Sequence, residues 1–291
     1  MKGILTPLIT PLLGQDDLDT DGLEKTINHV IAGGVHGIFL LGTTGEGPSL
    51  SVRLRHEIVQ QSAKMIAGRL RFYVNVTGQS HTENLALAKE SAEAGASAVV
   101  YSGPLYAPIG QDALAAHVER FAANCPLPVL LYNMPSHTNL FFQVPTVVHL
   151  SKLSNIIGLK DSSGDILYLQ RVIRALGPDF PTFVGPEEML LQCLMTGACG
   201  GVNGGSNLMP HLYVGIYNAF QAKDLVEAAR LQRVVNELSD AVYGQGYLKG
   251  LKAAMASKGL CKPAMAEPAT EIDAEAAGKI AEAIRDPKFA G

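Results

Sequence analysis

The chain has 291 residues, 47% of them apolar, which is enough to bury the core of one large domain. Its 23 basic and 27 acidic residues give a formal net charge of −4, and without an extended basic run this excludes the usual footprint of a nucleic-acid-binding protein. The four cysteines, at positions 125, 193, 199 and 261, form no C-x-x-C pair, so we expect reduced, buried thiols rather than disulfides or a zinc site.

Eight short runs of apolar and β-branched residues recur along the chain, each followed by a loop and a segment with helical periodicity. The predicted strands span residues 3–10, 36–41, 72–76, 98–102, 128–132, 156–160, 182–184 and 200–202. Among the helices, residues 165–176 are the clearest, because apolar side chains share one face and Gly177 follows as a C-cap. Ser51 and Thr82 are expected N-caps, and Pro145 suits a first helical turn.

Eight such units, with strands apolar enough to be buried on both faces, predict a closed (β/α)₈ TIM barrel over residues 1–223. Residues 224–291 contain no further strand pattern, so we expect a C-terminal helical extension. The stretch between Glu188 and Lys223 has no charged residue, but Gly, Asn, Gln and Pro interrupt it, so no membrane span is expected. We expect a cytoplasmic protein.

Lys160 is the strongest candidate for chemistry, because it ends a strand of apolar residues. Active sites of these barrels form at the C-terminal ends of the strands. A lysine there would be desolvated, which disfavours its ammonium form and leaves an amine able to attack a carbonyl. The alternative is a lysine that lies at the barrel rim or pairs with Asp161.

Two neighbouring strand ends supply further candidates. Tyr132 ends the preceding strand and could pass protons to and from a group on Lys160. The turn Thr43-Thr44, between Gly42 and Gly45, exposes backbone N–H groups that suit an anionic substrate.

The glycine spacings match neither a dinucleotide-binding motif nor a P-loop, so no nucleotide cofactor is expected. The eight histidines include no H-x-H or H-x-x-x-H pair, which argues against a metal-dependent aldolase. His137, in the loop after Tyr132, is the one histidine retained as a site candidate.

Three motifs together resemble the dihydrodipicolinate synthase and N-acetylneuraminate lyase family: G-T-T-G-E at 42–46, Y-N-M-P-S-H-T at 132–138 and G-L-K-D-S-S at 158–163. The resemblance implies a barrel with C-terminal helices, usually a homotetramer, that uses no metal and no organic cofactor.

The resemblance also implies residue roles. Lys160 would be the Schiff-base lysine and Tyr132 the proton shuttle, with Thr43 relaying to it and Tyr106 lent by an adjacent subunit. Gly42, Thr43 and Thr44 would form the loop that binds the carboxylate of a 2-oxo acid, and the carbonyl of Val202 would lie beside the lysine.

Departures from the family pattern bear on the second substrate. His137 stands where synthases that use aspartate semialdehyde carry an arginine, and an imidazole replaces a guanidinium fork poorly. Leu105 stands where lysine-inhibited synthases often have a tyrosine. The segment with Gly185, Glu187 and Glu188 is similar to the one that meets sugar hydroxyls in sialic-acid lyases, and Asn203 could add a polar contact.

The leading hypothesis is therefore a Schiff-base lyase, an aldolase or dehydratase, for a 2-keto-3-deoxy sugar acid or similar 2-oxo acid, with pyruvate as the shared fragment. The alternative is a 4-hydroxy-tetrahydrodipicolinate synthase that condenses pyruvate with aspartate semialdehyde. A barrel that only senses a 2-oxo acid is a third reading, which the complete set of Lys160, Tyr132, Thr43 and Tyr106 disfavours.

Overall fold

A computed structural model describes residues 1–106 and 108–289. Eight parallel strands close into a barrel in the order β1-β10-β9-β8-β7-β6-β5-β4, which confirms the predicted TIM barrel. These strands are β1 Gly3–Pro7, β4 Gly37–Leu40, β5 Phe72–Asn75, β6 Ala98–Tyr101, β7 Val129–Asn133, β8 Ile156–Asp161, β9 Thr182–Val184 and β10 Gly200–Gly201. Most end within one or two residues of the predicted limits, whereas β1 is three residues shorter than expected.

A small hairpin that the sequence reading missed follows β1. It pairs β2, Leu12–Gly14, with β3, Asp17–Leu18, in antiparallel fashion. Asp16 lies between them with a φ of 59°. The alternating pattern of these few residues is too short to distinguish a strand from a loop.

Helices surround the barrel and continue beyond it. They are α1 Thr20–Ala32, α2 Val52–Ile66, α3 His81–Glu93, α4 Gln111–Asn124, α5 Pro135–Thr138, α6 Val144–Leu150, α7 Ile166–Leu176, α8 Leu190–Met195, α9 Pro210–Gln221, α10 Leu225–Tyr243, α11 Tyr247–Ser257 and α12 Ala274–Ala283. Helix α10 packs along α9, and α11 packs against α10 and α12. The helical extension is thus present, while its division from the barrel at residue 224 as a separate unit stays a prediction.

Capping residues set several helix ends as the sequence indicated. Ser51 accepts a hydrogen bond from the backbone N–H of Leu54, Gly177 ends α7, and Pro145 lies in the first turn of α6. The predicted cap at Thr82 is wrong. Ser80 caps α3 instead, with its hydroxyl accepting from the N–H of Glu83, so the helix begins before Thr82.

Two apolar cores separate the inside of the barrel from its outside. The larger lies between the strands and the surrounding helices. The smaller fills the barrel interior and includes Leu5, Phe39, Tyr132, Phe183 and Val202. Residues of this inner core form the floor on which the site is built.

The expectation of buried cysteines is only partly met. All four thiols are free, but Cys193 alone is buried, and the other three are half-buried. Within the described ranges, no helix combines the length and apolar character that crossing a membrane requires.

Candidate active site

Lys160 and Tyr132 are neighbours because their strands are neighbours. In the parallel register of β7 and β8, the two residues lie directly opposite each other. Equivalent positions on adjacent strands point to the same side of a sheet, and here both side chains point into the barrel. The Nζ atom of Lys160 lies 4.1 Å from the centre of the Tyr132 ring.

The amine of Lys160 is desolvated. The residue is 4% exposed, and its Nζ lies 4.7 Å from the centre of the Phe39 ring. Burial lowers the pKa of Lys160, and the nearby Tyr132 hydroxyl opposes this only in part. No carboxylate in the described part of the chain forms an ion pair with Lys160, so the predicted alternative of a pair with Asp161 is not observed.

Asp161 has a different set of partners. Its carboxylate accepts hydrogen bonds from Asn133 and Ser163, at 2.8 and 2.9 Å, and burial raises its pKa to about 6. These contacts hold the ends of β7 and β8 together behind Lys160. Its role is therefore to support the strand ends.

The Tyr132 hydroxyl lies 3.2 Å from the Thr43 Oγ, within hydrogen-bond distance. Tyr132 is 4% exposed and Thr43 is half-buried, so this pair connects the interior of the barrel to the loop that follows β4. Two hydroxyls in contact can exchange protons, which is the arrangement that a proton relay requires.

The loop after β4 has unpaired backbone donors. Neither the N–H of Thr43 nor that of Thr44 donates to an acceptor among the described residues. Thr44 is only 4% exposed, and buried donors are nearly always paired, so both groups suit an anion such as a carboxylate. Gly42 allows the loop to pack closely, because a Cβ there would lie 2.6 Å from the Phe39 ring.

These groups line a cavity of about 490 Å³ at the C-terminal mouth of the barrel. Nine of the residues predicted for the site lie in its wall, with Lys160 at the base: Thr43, Thr44, Tyr132, His137, Lys160, Gly185, Glu187, Glu188 and Val202. A larger groove of about 920 Å³ at the opposite pole contains none of them.

The sequence reading missed the residues that the C-terminal helices bring to the cavity. Tyr243 ends α10, Tyr247 and Leu248 begin α11, and all three line the cavity. The Tyr247 hydroxyl lies 3.0 Å from the Thr44 Oγ. The only signal in the sequence was two tyrosines four residues apart around a glycine-rich break, which does not indicate where the helices fold back.

Glu187 and Glu188 are adjacent but face different surroundings. Glu187 is 3% exposed, and its carboxylate accepts from the Gly205 N–H at 2.9 Å and from the hydroxyls of Tyr213 and Tyr243 at 3.0 and 2.5 Å. Burial raises its pKa, and these donors act in the opposite direction. Glu188 is exposed on the cavity wall, and no described residue forms a hydrogen bond with its carboxylate.

His137 and Gly185 both lie in the cavity wall. The Nδ1 of His137 lies 3.0 Å from the Ser136 hydroxyl, and desolvation lowers the pKa of the imidazole. A neutral ring is therefore favoured near neutral pH. Gly185 cannot be replaced without a shift, since a Cβ there would lie 2.0 Å from the Ser162 Oγ.

Three predicted residues do not line the cavity in the described part of the chain. Gly42 lies behind it, against Phe39. Asn203 is fully buried, and its side-chain amide donates to the Gly185 carbonyl at 2.9 Å, so it supports the wall from outside. Tyr106 is 92% exposed, with a φ of 77°, and is not among the residues that line the cavity.

The sequence matches known proteins over most of its length. The model of the dihydrodipicolinate synthetase family matches residues 1–286. A 4-hydroxy-tetrahydrodipicolinate synthase from Oceanobacillus iheyensis is 32% identical over 234 residues, covering 80% of this chain and 79% of that protein.

Solved structures show the same likeness. Dihydrodipicolinate synthase from Bacteroides thetaiotaomicron is 42% identical, with a TM-score of 0.94 and 98% of each chain covered. YagE, a prophage protein of that family from E. coli K12 solved in complex with pyruvate, is 25% identical, with a TM-score of 0.93 over 100% of this chain and 99% of that one. The chain therefore belongs to the dihydrodipicolinate synthetase family and is an enzyme of the class I aldolase type.

Proposed function

We propose that Lys160 forms a Schiff base with a 2-oxo acid, and that the enzyme cleaves or dehydrates a 2-keto-3-deoxy sugar acid. The observation that supports this most directly is a desolvated lysine without a carboxylate partner among the described residues, beside a tyrosine and two unpaired backbone N–H groups. An uncharged amine, a proton donor and an anion site are what imine formation with a 2-oxo acid needs.

The proposed reaction begins when Nζ attacks the carbonyl carbon and the carbonyl oxygen takes a proton from Tyr132. The positively charged nitrogen of this adduct returns a proton to the Tyr132 oxygen, which lies within hydrogen-bond distance of the Thr43 hydroxyl, and a neutral carbinolamine results. Tyr132 then protonates the carbinolamine hydroxyl, which leaves as water while the nitrogen lone pair forms the C=N bond of a protonated imine, and Tyr132 is left as a phenolate.

In cleavage, the C4 hydroxyl gives its proton to this phenolate and becomes the carbonyl of the leaving aldehyde, while the electron pair of the broken C3–C4 bond passes to the imine and forms an enamine. Tyr132 protonates the enamine at C3, and water hydrolyses the imine to release pyruvate and the free amine of Lys160.

In dehydration, the Tyr132 phenolate instead removes a proton from C3 to give the enamine. That proton is passed to the C4 hydroxyl, which leaves as water while the enamine becomes an unsaturated imine, and water then hydrolyses this imine. The two reactions share Lys160, Tyr132 and the carboxylate loop, and they differ in which proton of the substrate is removed.

One residue of the cavity wall suits a substrate with a hydroxylated tail. The carboxylate of Glu188 has no protein partner in the described ranges, and it could accept hydrogen bonds from the hydroxyl groups of a sugar acid. His137, which also lines the cavity, is favoured in its neutral form, so it is a weak partner for the carboxylate of aspartate semialdehyde.

Synthesis of 4-hydroxy-tetrahydrodipicolinate is the second candidate, because the Oceanobacillus iheyensis relative carries that name. If the enzyme turns over pyruvate with aspartate semialdehyde faster than any 2-keto-3-deoxy acid of a panel, the synthase becomes the first candidate function and the sugar-acid lyase the second.

Since the family is usually tetrameric, we also propose that Tyr106 reaches the relay of an adjacent subunit in a homotetramer.

The test of the imine is reduction with borohydride in the presence of pyruvate, followed by peptide mass spectrometry. The expected adduct is on Lys160, and Lys160→Ala should abolish it while Lys152→Ala, which removes an exposed lysine, should not. Absence of an adduct on Lys160 with pyruvate and with every 2-keto-3-deoxy acid tested would refute the proposal. An imine without product from any substrate would instead indicate a sensor.

A further inference from the structure

The loop that carries Thr43 and Thr44 has a backbone conformation that must be held in place. It lies between two residues other than glycine with left-handed backbone angles, Leu41 at a φ of 59° and Glu46 at a φ of 56°. Residues with a Cβ adopt this region at a cost and persist there only when their surroundings require it. Contacts from elsewhere in the chain therefore determine where the Thr43 and Thr44 N–H groups point.

The strongest of these contacts is a buried ion pair. The Glu46 carboxylate pairs with the Nζ of Lys252 on α11, and the two side chains are 3% and 0% exposed. The second oxygen of Glu46 accepts from the Ala266 N–H at 2.7 Å, and Lys252 donates to the Ala264 carbonyl at 2.6 Å. One carboxylate thus joins the loop to both α11 and the segment that follows it.

The same helix contacts the loop a second time. Tyr247, at the start of α11, places its hydroxyl 3.0 Å from the Thr44 Oγ. A Cβ on Gly204 would lie 1.7 Å from that hydroxyl, so the glycine makes room for the contact. Helix α11 therefore holds the loop at Thr44 and at Glu46.

Stability alone gives a weak reason for such a pair. Burying two charges is costly, and an apolar pair of similar size is often as stable or more so. A buried pair does, however, restrict its two side chains to one arrangement. Here one of the two restricted side chains belongs to Glu46, at the end of the loop whose two N–H groups have no acceptor among the described residues.

We propose that Glu46 and Lys252 are positioning residues, through which α11 orients the Thr43 and Thr44 N–H groups toward the carboxylate of the 2-oxo acid. This inference rests on the proposed function. It assigns the C-terminal helices a part in substrate binding and gives the glutamate of the G-T-T-G-E motif a role distinct from chemistry.

The decisive experiment uses the double variant Glu46→Gln/Lys252→Met, which removes both charges and leaves neither unpaired. Pyruvate is trapped with borohydride over a range of concentrations, and adduct is quantified by mass. The half-saturating pyruvate concentration should rise about 10-fold, while the adduct at saturation stays complete, because carboxylate binding and not amine reactivity is lost. The control is Glu275→Gln/Lys279→Met, which removes an ion pair whose side chains are 80% and 74% exposed.

A second readout separates positioning from general loss of structure. Pyruvamide has the same ketone without the charge, so the preference of the wild-type enzyme for pyruvate over pyruvamide measures carboxylate recognition. That preference should fall about 10-fold in the double variant. A half-saturating concentration and a preference both within about twofold of wild type, in a variant with the wild-type circular dichroism spectrum, would overturn the inference.

Tyr247→Phe keeps the test decisive if the double variant does not fold, because it removes one hydroxyl and leaves the ion pair intact. Its half-saturating pyruvate concentration should rise about threefold, as expected for loss of one hydrogen bond. With no folded double variant, an unchanged value for Tyr247→Phe overturns the inference. If the wild-type enzyme forms no adduct at any pyruvate concentration, the proposed function itself fails. If the wild-type enzyme forms the adduct and the variants have the same half-saturating pyruvate concentration, only the present inference fails.

Discussion

Substitution of the adjacent residues Glu187 and Glu188 by glutamine should affect different properties, the stability of the protein at Glu187 and substrate binding at Glu188. Glu187→Gln replaces a carboxylate oxygen by an NH₂ group. If the remaining side-chain oxygen still accepts hydrogen bonds from the hydroxyls of Tyr213 and Tyr243, the new NH₂ group faces the N–H of Gly205. Both of these groups are donors, so the buried N–H of Gly205 loses its acceptor.

An orphaned buried donor costs about 1–3 kcal/mol. For a chain of this size, an unfolding entropy of about 2 cal/mol/K per residue means that each kcal/mol changes the melting temperature by roughly 1.6 °C, so we expect Glu187→Gln to melt about 2–5 °C below wild type. Glu188→Gln should change the free energy of unfolding by no more than about 0.5 kcal/mol, because its side chain is exposed and has no hydrogen-bond partner in the described ranges.

The assay is thermal unfolding by circular dichroism, combined with steady-state kinetics on the 2-keto-3-deoxy acid that is turned over best. Glu188→Gln should raise KM for that substrate and leave pyruvate trapping unchanged, whereas Glu187→Gln should mainly lower the melting temperature. An unaltered melting temperature for Glu187→Gln, together with a raised KM, would show that Glu187 meets the substrate and that the reasoning is wrong.

Three further predictions concern the base of the cavity. Because desolvation lowers the pKa of Lys160 below its ordinary value of about 10.4, the rate of imine trapping should rise with pH and level off below that value, and a rate still rising steeply at pH 10 would contradict this. Tyr132→Phe should slow imine formation by about 10²-fold through lost proton transfer, with the circular dichroism spectrum unchanged. If stopped-flow trapping shows that the variant forms the imine as fast as the wild type, Tyr132 is not a proton relay. The raised pKa of Asp161, about 6, means that the folded protein binds this proton more tightly than the unfolded chain. The stability that this proton contributes is complete below about pH 4 and is lost as the pH rises through about 6. The free energy of unfolding, compared with that of Asp161→Asn, should therefore fall by up to about 3 kcal/mol between pH 4 and 7. If urea titrations show the same change of unfolding free energy with pH for both proteins, the prediction is wrong.

The barrel and the contact between Lys160 and Tyr132 were predictable because both depend on local patterns. Eight apolar runs fixed the number of strands, and a lysine at the end of one run had to lie at the mouth of the barrel. Tyr132 ends the preceding strand, so the register of a parallel pair brought it to Lys160. Nothing beyond strand order was needed to predict that contact.

The remainder of the wall depends on packing between distant segments. Glu187 and Glu188 are equivalent in the sequence, and only the hydroxyls that α9 and α10 direct at Glu187 make one structural and leave the other facing the cavity. Tyr247 was missed for the same reason, since its position depends on how α11 folds back over Thr44. Thr82 was mistaken for a cap because Ser80, two residues earlier, has the same capping chemistry.

The placement of Lys160 and Tyr132 on strands, with Glu188 and His137 on short helical segments that follow strands β9 and β7, has an evolutionary consequence. Under the proposed function, mutations in these segments can alter the accepted tail without moving the amine, since the strand register that positions the amine is set by the backbone of the barrel. New specificities can therefore arise by single steps that each preserve a working reaction centre. A lineage built on this scaffold can diversify in what it consumes while its core chemistry stays constant.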